Sequence, residues 1–321
     1  MGIIITRTDE ACPYSFYAHS RVNPDSFLTM ERSRVRWGVE QRLEFIEFRL
    51  FWEGSINRAD LVEFFGVSVP QASKDLTLYQ ERAPGNMEYD TRGKRYVAAE
   101  RFVLRFLEPD PYAYLAQLRS VAEGTIPSHD SWIAAFPKAD VALTPKRDID
   151  IKVLRKVLDA TREGASVEVF YQSMNKVRPD PIWRRITPHA FGYDGFRWHV
   201  RAYCHLDSKF KDFLLPRILE VRGKDKPGLT GDADWHWNNY FDVIIGPHPD
   251  LTESQRQVVS KDYGFDHGRG VLSVRYAMLF YVLKRLGLLG DATKLSARTQ
   301  HIVTLNRRET EAALQAAEVQ L

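Results

Sequence analysis

Apolar positions define the first elements. Val39, Leu43, Ile46 and Leu50 follow steps of four, three and four, one face of a helix, and Gly54 stops it. Asn57 is placed to cap a second helix whose buried side is Leu61, Val62, Phe64 and Phe65. The pattern breaks at Phe65-Gly66-Val67-Ser68. Ser68 then caps a third helix, with Pro70 in its first turn, where a missing N–H costs nothing. That helix is predicted to run to about Arg82. Pro84-Gly85-Asn86 signals a turn. Met87 to Asp90 and Arg95 to Val97 then read as a short hairpin with Thr91-Arg92-Gly93-Lys94 at its tip.

Three helices followed by a two-stranded wing predict a winged helix-turn-helix over 30–105. Residues 106–160 read as a helical linker. The whole of 98–160 is expected to be mainly helical, with stripes at Leu115, Leu118 and Ala122 and at Ile149, Ile151, Val153, Leu154, Val157 and Leu158. After Gly164 the period changes. Val167, Val169, Tyr171 and Ser173 alternate with polar or outward positions, which is strand spacing. Further strands are expected at Trp183 to Phe191, Phe196 to Cys204 and Phe213 to Val221, with a hairpin at Gly192-Tyr193-Asp194-Gly195. On the third of these, Arg197, His199, Arg201 and Tyr203 share one face. Trp198, Val200, Ala202 and Cys204 share the other, so Trp198 is expected in the core.

Several short strands in this span predict a small β-barrel over 161–225. Gly223 to Asp234 is rich in Lys, Gly and Asp and reads as a linker. Residues 235–321 read as a small α+β domain, with a strand at Asp242 to Ile245 and helices at Thr252 to Tyr263 and Tyr276 to Leu286. Residues 1–29 have no periodicity and read as an N-terminal arm or a mis-assigned start. The fold class expected is α+β and multi-domain.

Composition narrows the function classes. The formal net charge is only +3, so a surface for nucleic acid must be local. The two cysteines, Cys12 and Cys204, are far apart in sequence and form no CxxC pair. That excludes a disulfide framework or a cysteine-rich zinc site and points to a reducing, cytoplasmic setting. No apolar run reaches the roughly 18 residues of a membrane span, and Ile3-Ile4-Ile5 is too short for a signal-peptide core. Met1-Gly2 with Thr6 matches only the loose myristoylation pattern.

In a helix-turn-helix the second helix of the pair presents its first turns to the major groove. Here those positions are Pro70, Gln71, Ser73, Lys74 and Thr77. Gln71 matches adenine bidentately and Lys74 matches guanine or phosphate. Ser68 and Ser73 suit phosphate contacts. Arg92, Lys94 and Arg95 at the wing tip suit the backbone or adjacent minor groove. The bland alternative is a set of solvated polar faces.

The stretch Arg197-Trp198-His199-Val200-Arg201-Ala202-Tyr203 resembles the signature of WYL domains, with Trp198-His199-Val200 in place of Trp-Tyr-Leu. Tyr171-Gln172-Ser173, Thr187-Pro188-His189 and Leu215-Pro216-Arg217-Ile218 resemble other stretches of that family. The order of parts, over about 30–300, is similar to that of BrxR/CapW-type regulators, which repress bacterial anti-phage defence operons. His199 and Val200 depart from the usual Tyr and Leu.

The resemblance implies a Sm-like or SH3-like barrel with a polar face for a nucleic-acid or nucleotide-type effector. On the residues alone, Arg197, Arg201 and Arg217 suit phosphate. Tyr171, Tyr203 and His199 suit stacking, and Ser173 and His189 suit hydrogen bonding. The resemblance also implies a C-terminal WCX-type dimerisation domain, so that a homodimer would read an inverted repeat in double-stranded DNA.

Enzyme readings find little support. GxxxxGK[ST], HExxH and GxSxG are all missing from the sequence. His199 and His205 have poor spacing for a metal, and no nucleophile elbow surrounds Ser173. No catalytic residue, metal or cofactor is therefore expected. The alternatives to a repressor are a ligand-dependent activator and an RNA- or single-strand-binding module.

Overall fold

A computed structural model of the chain describes residues 34–142, 144–176 and 179–317. The expected N-terminal arm at 1–29, and Cys12 within it, lie outside the described residues. The chain divides into two compact units, 1–143 and 144–321.

The first unit opens with α1 (Arg34–Glu53), β1 (Ser55–Ile56), α2 (Arg58–Phe65) and α3 (Val69–Arg82). β2 (Met87–Asp90) and β3 (Arg95–Ala98) complete a three-stranded antiparallel sheet in the order β1-β3-β2. The expected two-stranded wing thus gains a strand: Ser55 and Ile56 pair with Val97 and Tyr96. Two residues carry no periodicity, so this strand had no sequence signal. Leu43, Phe45, Ile46, Leu50, Leu61, Leu76 and Tyr79 form the core.

Glu47 is fully buried on α1 and explains the path after the wing. Its Oε2 accepts the backbone N–H groups of Arg105, Phe106 and Leu107 at 2.9, 2.6 and 2.7 Å, and its Oε1 accepts the Tyr79 hydroxyl at 3.0 Å. A buried charge is tolerable only when hydrogen-bonded in this way. Here the carboxylate fixes an irregular segment that has no ladder of its own.

The expectation that 98–160 is mainly helical is corrected. Among the described residues there, only α4 (Pro111–Ala122) and α5 (Ile151–Glu163) are α-helical, with a 3-10 turn at Ser128–Asp130 between them. Irregular backbone is held instead by Trp132, edge-on to Phe45 and Phe48, and by Glu53, which accepts from the Ala134 and Ala135 N–H groups. The α4 stripe also differs. Leu115 and Ala122 are exposed, and Tyr114 and Leu118 face Phe48 and Trp52.

In the second unit, α5 lays Val153, Val157 and Ala160 on a five-stranded antiparallel sheet. Its strands are β4 (Ser166–Tyr171), β5 (Ile182–Tyr193), β6 (Trp198–Cys204), β7 (Lys209–Leu214) and β8 (Ile218–Asp225), in the order β7-β6-β5-β4-β8. Edge strands β7 and β8 do not pair with each other, so the sheet is open where a closed barrel was expected. The single strand expected at Phe213 to Val221 is two strands. Pro216, which cannot donate to a ladder, sits in a 3-10 turn (Leu215–Arg217) between them.

Trp198 is 48% exposed and packs on Tyr193 across the hairpin, not in the core as expected. It lies at the first pair of the β5–β6 ladder, Tyr193 with Trp198, beyond the part of the sheet that α5 covers.

Gly223 to Asp234 is not a free linker. Its start extends β8, Lys226 accepts from Ser166 and Arg185 through its carbonyl, and Asp234 is fully buried. The tail contains β9 (Tyr240–Pro247), α7 (Glu253–Asp262), β10 (Gly270–Arg275), α8 (Tyr276–Arg285), β11 (Ile302–Thr304) and α9 (Arg307–Ala316). A one-turn helix, α6 (Trp235–Asn238), precedes them. The sheet order is β10-β9-β11, and its core joins Val243, Ile245, Leu279, Leu283 and Ile302. Strands β10 and β11 and helix α9 went unread in the sequence.

Candidate functional site

The helix pair α2–α3 is set by local chemistry. Asn57 Oδ1 accepts from the Asp60 N–H at 3.1 Å while Asp60 Oδ2 accepts from the Asn57 N–H at 2.7 Å, a reciprocal cap. Gly66 ends α2 at φ 64°, and Ser68 Oγ accepts the Gln71 N–H to start α3. Ala72, Leu76 and Tyr79 seat α3 in the core. Asp75, also buried, is held by Arg42 Nε at 2.7 Å.

That seating leaves Ser68, Val69, Pro70, Lys74 and Thr77 exposed and Ser73 half-buried. Gln71 stands on the flank, and its Nε2 donates to Asp75 at 3.0 Å, so one of its donors is committed inward. The wing tip carries Arg92, Lys94 and Arg95, all exposed. A side chain at Gly93 would meet the Asp90 carboxylate at 2.4 Å, so any larger residue there would have to displace Asp90. Among the described residues, none of Lys74, Arg92, Lys94 and Arg95 is in an ion pair.

The central domain differs. Arg201 is buried, with Nε and Nη2 on Asp234 at 2.7 and 3.1 Å and Nη1 on Asp212 at 3.2 Å. His189 Nε2 also meets Asp234, at 3.0 Å. The β5–β6 register shifts between Pro188 and Ala190, so His189 is the bulged residue, re-aimed out of the ladder. Gly231 permits the approach: a side chain there would come within 2.8 Å of His189 Nδ1. Burial alone would raise the Asp234 carboxyl, but hydrogen bonds from His189 and Arg201 hold it at about 2.

A second knot surrounds Asp194, which takes Arg197 Nε at 2.8 Å and His199 Nε2 at 3.0 Å. Burial pushes its carboxyl up. The His199 and Arg197 hydrogen bonds and two backbone N–H groups more than reverse that, again to about 2.

The remaining sequence-predicted residues scatter. Tyr171 is buried, its hydroxyl accepting from the Leu214 N–H. Ser173 Oγ accepts from the Asn175 N–H. Arg217 lies half-buried in the 3-10 turn, with its carbonyl on the Gln172 N–H. Arg201 and Tyr203 do share a cleft of about 360 Å³, lined also by Lys209, Phe210, Lys211, Asp212, Trp235 and His236. Asp234, Asp212, Lys209 and Trp235 were missed by sequence reasoning. Asp234 ends, and Trp235 follows, a stretch whose composition signals only a linker, and nothing local marks Asp212 as the partner of an arginine on the neighbouring strand.

Asp212 also accepts the Tyr281 hydroxyl at 3.0 Å, and the Tyr281 ring packs 4.6 Å from that of His199. Burial, then the Asp212 charge, pushes the Tyr281 hydroxyl well above its ordinary value. The chain Asp234–Arg201–Asp212–Tyr281 therefore connects β6 and β7 to α8.

Comparison with known proteins covers the same three parts. The BrxR transcriptional regulator winged helix-turn-helix domain matches residues 38–120, the WYL domain 152–222, and the BrxR transcriptional regulator C-terminal dimerization domain 240–310. The DNA-binding transcriptional repressor CapW of Stenotrophomonas maltophilia is 41% identical, covering 86% of this chain and 92% of its own. CapW of Pseudomonas aeruginosa is 38% identical over 92% and 98%, and that of Escherichia coli (strain KTE188) 37% over 88% and 94%. Among solved structures, the proteasome accessory factor B/C of Arthrobacter aurescens aligns with 88% of this chain at 16% identity and a TM-score of 0.23. This chain spans about half (48%) of its length. The relatives are named repressors and not enzymes. With near-full-length identity of 37–41% and all three component domains in order, the chain belongs to the BrxR/CapW family of WYL-domain transcriptional regulators.

Proposed function

We propose that this chain is a homodimeric repressor that binds an inverted repeat of double-stranded DNA in the cytoplasm, before a bacterial anti-phage defence operon. A nucleotide-type or nucleic-acid effector in the central domain releases it. The observation that carries the DNA reading is the exposed basic set of Lys74 on α3 and Arg92, Lys94 and Arg95 at the wing tip, none of them in an ion pair among the described residues. Cations left without carboxylates are what a phosphate backbone requires. The relatives' printed description as DNA-binding transcriptional repressors supports the same reading.

For the effector, the cleft beside Arg201 offers aromatic walls in Tyr203, Phe210 and Trp235 and a cation in Lys209. A ring-bearing anion there would compete with Asp212 and Asp234 for Arg201. Since Asp212 also holds Tyr281 of α8, the competition reaches the region matched by the dimerisation domain. Such a ligand releases DNA only if it prefers the non-binding state; equal affinity for both shifts nothing.

The test is an electrophoretic mobility shift of the full chain on its own upstream intergenic DNA, with scrambled competitor, at two salt concentrations. The expected result is a discrete shift that survives competitor and weakens with salt. A shift lost equally to scrambled DNA would overturn sequence-specific repression.

A further inference from the structure

The exposed face of α3 carries less hydrogen-bonding capacity than its sequence suggests. Ser73 Oγ donates to the Val69 carbonyl at 3.0 Å and accepts from Arg58 Nη1 at 3.2 Å. Thr77 Oγ1 donates to the Ser73 carbonyl at 3.0 Å. Both hydroxyl hydrogens are therefore spent on the helix's own backbone, the back-bonding open to Ser and Thr four residues on. Gln71 has a donor committed to Asp75. Beside Lys74 and the Ser68 hydroxyl, the outward surface of these turns is apolar: Val69, 52% exposed, the Pro70 ring, and the Thr77 methyl left uncommitted by its hydroxyl.

Around that apolar strip stand cations. Lys74 is exposed on the same face, and Arg58, at the start of α2, is held over α3 by its contact to Ser73 and, among the described residues, is in no ion pair. An apolar strip at the first turns of a recognition helix, rimmed by cations, has one complementary surface in the major groove. The thymine C5-methyl is the apolar feature the groove presents, and phosphates flank it.

We infer that Val69, with Pro70 and Thr77, reads thymine methyl groups, and that Arg58 clamps a neighbouring phosphate. This rests on the DNA-binding reading above and adds the chemical class of base it recognises. Specificity comes from methyl contact more than from donor–acceptor pairing, with Lys74 the principal polar reader.

The experiment uses the full chain and a duplex that it selects from a randomised DNA library. Each thymine of the selected site is then replaced by uracil, which removes only the methyl. At the contacted thymines, binding should weaken about 3- to 5-fold per methyl, the equivalent of one buried apolar carbon. Val69→Ala should abolish that sensitivity at its thymine, Val69→Ile should retain it, and both should keep the wild-type melting temperature, since the side chain is half in solvent. Arg58→Ala should weaken all sequences alike and lower the salt dependence by about one phosphate contact.

Uracil tolerated at every thymine of a selected site would overturn the methyl reading while leaving DNA binding intact. So would undiminished sensitivity in both Val69→Ala and Thr77→Ser. Failure to select any site would instead remove the DNA-binding reading, and this inference with it.

Discussion

Two groups of cations in this chain look alike in the sequence and end in opposite states. Lys74, Arg92, Lys94 and Arg95 are exposed and, among the described residues, in no ion pair. Arg197 and Arg201 are drawn against Asp194, Asp212 and Asp234, and Arg201 is buried. The first group leaves its field open to solvent. The second spends it internally, where pairing is obligatory because a lone buried charge is untenable. A basic residue thus signals binding only when the fold leaves it unpaired.

Substitutions sharpen the contrast, beginning with Arg201. Arg201→Ala removes the cation shared by the buried Asp234 and the half-buried Asp212 and should cost about 3–5 kcal/mol, read as a large loss in denaturant unfolding of the 144–321 unit. A wild-type melt would break the comparison and return Arg201 to the pool of free ligand-binding cations. Glu47→Gln asks whether the first unit also depends on a buried charge. It weakens acceptance from three backbone N–H groups, at about 2–3 kcal/mol.

Acid provides a third measure. The folded-state value of Asp234 lies near 2, below its unfolded value of about 3.9. Its contribution is therefore complete above about pH 4 and lost as pH falls towards 2, roughly 2 kcal/mol in all. Unfolding free energy followed by circular dichroism over that interval should decline, and Asp234→Asn should begin lower and decline less.

The smallest effects on stability belong to the exposed group. Lys74→Ala should leave melting unchanged within about 0.5 kcal/mol. It should weaken operator binding about tenfold, the scale of one lost base contact. Arg92→Ala should produce a few-fold loss that vanishes at high salt, since wing contacts are electrostatic. A large melting shift in either variant would mean that these side chains support the fold.

Much of the first unit was legible because its signals are local. The spacing of Leu43, Ile46 and Leu50, the Asn57 and Ser68 caps, Gly66 and the turn at Pro84-Gly85 each act within a few residues. The exposed faces of α3 and the wing follow directly from those elements. The two-residue strand β1, the path fixed by Glu47 and the Trp132 anchor were not legible, because their partners lie tens of residues away.

The helix pair, the basic hairpin, the alternation of β4 to β6 and the likeness of their motifs to a known family are all readable from the residues alone. Long-range packing settled which charges end paired and which stay exposed. Asp234 meets Arg201 from 33 positions away, and Tyr281 meets Asp212 from 69. It also decided that the central sheet stays open and that a lysine- and glycine-rich stretch packs down to deliver a buried carboxylate. Periodicity and capping are short-range, so a chain displays them directly. Charge pairing depends on which distant segments meet, and no local pattern encodes that.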